Sequence, residues 1–141
     1  MSSFQRIDVD FLIGPQPTAH DLQAAKQQGV QTVIDFRLPS ETVASNAVLT
    51  TRQGLAYVNI PVNKDALSTE QLDALDRALK AHTGPFLLHC ATGARAALLL
   101  SVSRARQQGW RSVQALDEAQ RMGFDLRASA PFSTWVLQTL G

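Results

Sequence analysis

One cysteine, one tyrosine and three histidines in 141 residues are few, and each scarcity removes a class of function. A lone cysteine cannot form an internal disulfide, and His20, His82 and His89 are scattered without metal-ligand spacing. No apolar run is long enough to span a bilayer, and the first ten residues lack the apolar segment of a secretion signal, so a cytoplasmic location is expected. Charge of one sign is lacking as well. Thirteen basic against twelve acidic residues leave +1, too little to draw nucleic acid or an anionic membrane as the main partner. An anionic ligand would have to be bound locally. Repeats, low-complexity segments and linkers are absent, and the length and 45% hydrophobic content suit one domain over residues 1–141.

Short apolar runs alternate with helical stretches, the pattern of an α/β domain with a mostly parallel sheet of four or five strands flanked by helices. Phe11-Leu12-Ile13 reads as a strand ended by Gly14-Pro15-Gln16-Pro17. Thr18 with Asp21 three later forms a capping box for a helix of about ten residues that Gly29 stops. Thr32 to Phe36 is a β-branched strand, and Ser40 can cap a helix running to Gly54. A strand from Ala56 to Ile60 is closed by Pro61. Ser68 and Gln71 then cap a helix with Leu72, Leu75, Ala78 and Leu79 on one face, ended by Gly84. Pro85 to His89 is a buried strand feeding into Cys90. The helix from Ala96 to Gln108 starts apolar nearly all round, which places it at the centre, and two shorter helices follow around Val113 to Met122 and Phe132 to Leu140. Trp110, Trp135 and Met122 read as packing residues.

An isolated cysteine is usually an inert core residue. Here it heads the segment His89-Cys90-Ala91-Thr92-Gly93-Ala94-Arg95, between a strand and a helix. The first N–H groups of a helix lack intrahelical partners and carry the positive end of its dipole, so a loop curled there can ring an anion with donors. Gly93 permits a positive φ or a close approach, while Ala91, Thr92 and Ala94 complete the ring of loop amides. Arg95 offers a planar fork for two oxygens of an oxyanion, and the same field favours the Cys90 thiolate, the nucleophilic form. His89 can orient the loop, and Asp65 in a polar loop is either a general acid or a solvated carboxylate. Arg37 is either a second anion contact or the partner of Glu41, and Gln16 has similar standing. The reading calls for no cofactor and no metal. Its partner is a small anionic substrate or a phosphorylated protein, with the oligomeric state open.

The Cys90 segment resembles the signature of cysteine-dependent phosphatases of the tyrosine and dual-specificity type. Ile13-Gly14-Pro15-Gln16-Pro17-Thr18, Val33-Ile34-Asp35-Phe36-Arg37 and Tyr57-Val58-Asn59-Ile60-Pro61-Val62 are similar to the stations of a small bacterial phosphatase-like family, also found beside or fused to metallo-β-lactamase-like proteins of sulfur metabolism. The resemblance covers roughly residues 4 to 127. It implies a phosphatase-like fold, attack by Cys90 on phosphomonoesters through a phosphocysteine, and Asp65 as the acid. Two departures stand out. Four residues separate Cys90 from Arg95 where the phosphatase signature has five, and Ala96 stands where a hydroxyl usually follows the arginine. The shorter loop resembles that of rhodanese-type sulfurtransferases, which carry a persulfide. Phosphatase, sulfurtransferase and a weakly catalytic oxyanion-binding module are therefore all open at this point.

Overall fold

A computed structural model describes residues 4–41 and 46–141. Its five-stranded sheet comprises β1 (Gln5–Arg6), β2 (Phe11–Gly14), β3 (Thr32–Asp35), β4 (Ala56–Asn59) and β5 (Phe86–His89). The order is β1-β2-β5-β3-β4, with β1 antiparallel to β2 and every other pairing parallel. β5 is thus the central strand, with Gly14 of β2 and Asp35 of β3 in register with its last residue, His89. Three strand ends meet immediately before Cys90.

Side chains alternate across the sheet with the two-residue period of a strand. Leu12, Val33 and Leu87 face one side, where Leu22 and Ala25 of α1 (Ala19–Gln27) complete a small core, with Leu49 of α2 (Asn46–Arg52) packed against it. Ile13, Ile34 and Leu88 face the other and larger core, built with α3 (Thr69–Ala81), α4 (Ala94–Gln108), α5 (Ser112–Arg121) and α6 (Ala130–Leu140). Alternation fails to separate polar from apolar here because the sheet is covered on both faces.

Both expected capping boxes are present: Thr18 with Asp21 starts α1, and Ser68 with Gln71 starts α3. α4 is buried continuously from Ala96 to Ser103, as its all-round apolar start requires, and its two serines within that stretch are satisfied by Ala97 O at 2.6 Å and Asp76 Oδ1 at 3.0 Å. Trp135 and Met122 are core residues, and Trp110 packs partly buried against the same core.

Three boundaries differ from expectation. β1 is two exposed residues with no apolar pattern, held in place by pairing with β2. α4 begins at Ala94, two residues early, because Gly93 takes the left-handed conformation at its N-cap. The helix expected from Ser40 is a 3₁₀ turn, Pro39–Glu41, followed by α2, and the residues between, 42–45, lie outside the described residues, as do 1–3. No helix among the described residues is long and apolar enough to cross a membrane.

Candidate active site

Backbone bonds to its neighbours anchor the loop after β5. His89 O accepts from Phe36 N at 2.8 Å, Cys90 N donates to Gly14 O at 3.4 Å, and Ala91 O accepts from Gln16 N at 3.4 Å. The chain then turns through Gly93 at φ 104°, and a Cβ there would meet Phe124 Cζ at 2.6 Å. Glycine is required at this position for both conformation and space. The turn aims the Gly93 N–H at Cys90 Sγ, 3.0 Å away, so the sulfur accepts from a free amide at the start of α4. Cys90 has no exposed surface, whereas Ala91 and Thr92 face solvent and Ala94 is half-buried.

Arg95 lies in the first turn of α4 and reaches across the sheet edge. Its Nη1 and Nη2 each donate to an oxygen of Glu41 at 2.7 Å, and Nη1 also donates to Val62 O at 2.9 Å. The Glu41 bond raises the Arg95 pKa against the opposing effect of burial, and the adjacent Cys90 raises it further. Hydrogen bonding from Arg95 in turn holds Glu41 below the usual carboxylate range. Beside this pair opens a cleft of about 490 Å³, lined among others by Leu38, Glu41, Asp65, Thr92, Arg95 and Phe132. Asp65 is exposed on its wall, in a turn where its N–H donates to Asn63 Oδ1 at 2.9 Å. The structure therefore brings Arg95, the Cys90 loop and Asp65 to one place.

Arg37 and His89 are not at the cleft. Arg37, expected as an anion contact or as the partner of Glu41, is 1% exposed and grips Asp35 with Nε and Nη2, each at 3.0 Å. The same carboxylate accepts from Arg37 N at 2.9 Å and Tyr57 Oη at 2.8 Å. Burial pushes the Asp35 pKa up, but Arg37, then His89 and Tyr57, outweigh it and leave the group below its ordinary value. The His89 ring contacts this network, with Nδ1 3.7 Å from Asp35 Oδ1 and Nε2 3.5 Å from Asn46 Nδ2. Gln16 touches the loop through its main chain and keeps its side chain exposed. Glu41 and the Val62 carbonyl are the members of the site that sequence reasoning missed. Nothing local links Glu41 to Arg95 across 54 residues.

Burial drives the His89 pKa down to about 4, with Asp35 opposing and Arg37 adding to the fall. The folded ring is therefore neutral where an unfolded histidine takes up a proton, so the unfolded state binds more protons between the two pKa values. Stability is expected to fall by about 2 kcal/mol as pH drops from about 7 to about 5. Urea denaturation across that window measures it, and His89→Gln is expected to flatten the slope. An unchanged slope in the variant would assign the acid sensitivity to another group.

Residues 3–107 match the family described as Beta-lactamase hydrolase-like protein, phosphatase-like domain. The chain belongs to this family. The Beta-lactamase hydrolase-like protein of Xylella fastidiosa strain Temecula1 is 28% identical over 131 residues, covering 88% of this chain and 29% of that protein. The phosphatase-like chain thus spans less than a third of the length of this relative. A DUF442 protein from Shewanella putrefaciens CN-32 superposes with a TM-score of 0.80 at 24% identity, covering 99% of this chain and 88% of the other. P. aeruginosa TpbA, solved as a Cys→Ser variant in complex with pTyr, superposes at 0.78 with 22% identity over 95% of this chain and 82% of its own. The phosphatase-like domain therefore has the tyrosine and dual-specificity phosphatase fold, a single α/β unit with its Cys loop at the carboxyl edge of the parallel strands.

Proposed function

We propose that this phosphatase-like domain is a cysteine-dependent hydrolase of phosphomonoesters, on small anionic substrates or a phosphorylated protein. The observation that carries the reading is Cys90 Sγ receiving the Gly93 N–H at the start of α4, with Arg95 beside it and Asp65 lining the same cleft. In the first step Cys90 thiolate attacks phosphorus, the bond from phosphorus to the ester oxygen breaks, and Asp65 gives that oxygen its proton. The loop amides of Ala91, Thr92, Gly93 and Ala94, with Arg95, hold the remaining oxygens. Water then hydrolyses the phosphocysteine, regenerating Cys90. Ala96 brings no hydroxyl to position that water, so dephosphorylation is the slow step. The pTyr bound to TpbA supports an aryl phosphate as the first probe.

Asp65→Asn tests the acid. With an alkyl phosphate, whose leaving group needs the proton, turnover is expected to drop on the order of 10² to 10⁴-fold, and with p-nitrophenyl phosphate far less. Equal rates for variant and wild type on both substrates would return Asp65 to a solvated turn residue.

A second reading, a rhodanese-type sulfurtransferase, is favoured by a specific observation. Only four residues separate Cys90 from Arg95, and Cys90 has no exposed surface, an enclosure that suits a single sulfur atom better than a phosphoryl group. Thiosulfate would then transfer its outer sulfur to Cys90 and leave as sulfite, adding one sulfur's mass to the protein. Sulfur loading without any trappable phosphocysteine would replace the first reading by the second.

A further inference from the structure

We infer that Phe124 is a positioning residue of the Cys90 loop, its ring backing Gly93 so that the Gly93 N–H stays on the Cys90 sulfur. The inference rests on Cys90 as the nucleophile of the proposed hydrolase. Glycine is the most permissive residue in backbone conformation, so a functional bond made by its amide has to be fixed from outside. The carbonyl side of Gly93 is fixed by α4, where Ala97 N donates to Gly93 O at 3.0 Å. Around the amide side the loop has only long bonds to oxygen among the described residues. Cys90 N to Gly14 O and Gln16 N to Ala91 O are each 3.4 Å, and Ala94 N to Thr92 Oγ1 is 3.3 Å, all beyond the usual N–H···O range of about 2.7–3.2 Å.

Packing supplies what these bonds do not. A Cβ on Gly93 would meet Phe124 Cζ at 2.6 Å and the Gly14 C and O at 3.3 and 3.4 Å, so the ring and the end of β2 together close the space beside the Gly93 Cα. The ring is itself anchored. Phe124 N donates to Ala119 O at 3.0 Å at the end of α5, Gly123 before it takes φ 99°, and the side chain packs partly buried against the large core. Close-packed interiors transmit such contacts instead of yielding to them. Phe124 also lies beyond residues 3–107, so this support comes from a part of the chain outside the family match. The competing account is a core phenylalanine that touches the loop incidentally. It predicts a loss of stability with no local effect at Gly93.

The experiment compares hydrogen exchange of the Gly93 amide by NMR, p-nitrophenyl phosphate kinetics and thermal melting. The proteins are wild type, Phe124→Ala, Phe124→Leu and Val136→Ala, the last truncating a fully buried side chain of the same core. Phe124→Ala is expected to speed Gly93 exchange on the order of tenfold beyond any rise in Val136→Ala, and to lower kcat on the order of 10 to 10²-fold. Phe124→Leu, which keeps bulk against Gly93, is expected to recover part of both effects. Val136→Ala should lower the melting temperature alone. Unchanged Gly93 exchange in Phe124→Ala, or faster exchange with no effect on kcat, would reduce the ring to core packing and overturn the inference. Equal changes in Val136→Ala would do the same. If Phe124→Ala does not fold, the comparison is read from Phe124→Leu against Val136→Ala. Exchange needs no substrate, so a wild type that hydrolyses no phosphate ester would remove the hydrolase reading while Gly93 exchange still decides the role of Phe124.

Discussion

Cys90→Ser is expected to lose aryl-phosphate turnover by on the order of 10⁴-fold or more while keeping its fold. A serine hydroxyl attacks only if a base removes its proton, and among the described residues no carboxylate or imidazole is hydrogen-bonded to Cys90 Sγ. His89, the neighbour in sequence, turns its ring toward Asp35 and Asn46, and burial keeps it neutral and weakly basic. Cysteine escapes this requirement because a thiol is intrinsically far more acidic and more nucleophilic than a hydroxyl, and here its sulfur receives the Gly93 N–H. The hydroxyl is nearly isosteric and can accept the same amide, so melting should move little. Initial rates with p-nitrophenyl phosphate, alongside mass spectrometry after an acid quench, check both parts. The expected trace has a phosphoryl adduct in wild type and none in Cys90→Ser. Substantial turnover in the variant would show that the chemistry lies elsewhere in the cleft.

What was legible in the sequence is what local pattern controls. Thr18 with Asp21 and Ser68 with Gln71 are satisfied within four residues, so the starts of α1 and α3 could be read directly. The run Ala96 to Leu100 could only be a central helix, and the position of Cys90 between β5 and α4 followed from the strand before it and the glycine after it. Pairings made across the chain could not be read. The natural local partner for Arg37 was Glu41, four residues on, yet the fold sends Arg37 inward to Asp35 and gives Glu41 to Arg95. β1 was invisible for the same reason, since neither of its residues is buried and it exists only through its register with Ile13 and Leu12. The length of the Cys90 loop is local, and it was read; the direction in which Arg95 points is tertiary, and it was not.

The largest expected loss of stability comes from that inward turn of Arg37. Asp35 and Arg37 are 2% and 1% exposed, and among the described residues the carboxylate is the one ion-pair partner of a guanidinium that has lost nearly all contact with water, its Nη1 having no hydrogen-bond partner there. Asp35→Asn keeps the shape and removes the charge, leaving a buried cation uncompensated. The expected cost is about 3 to 5 kcal/mol, a large part of the stability of an ordinary domain. Arg37→Met in the same background removes the stranded cation and should restore much of it, because breaking a buried pair costs more than replacing it. The pH dependence has a definite sign. Asp35 is depressed in the fold, so its contribution is present above the unfolded carboxyl pKa of about 4 and is lost as pH falls toward the lower folded value. That loss begins where the His89 slope ends, and only the acid limb should vanish in Asp35→Asn. Urea denaturation with an unchanged m-value gives the number directly. A variant within about 1 kcal/mol of wild type would mean that Tyr57 and the main chain, rather than the charge of Asp35, keep Arg37 inside.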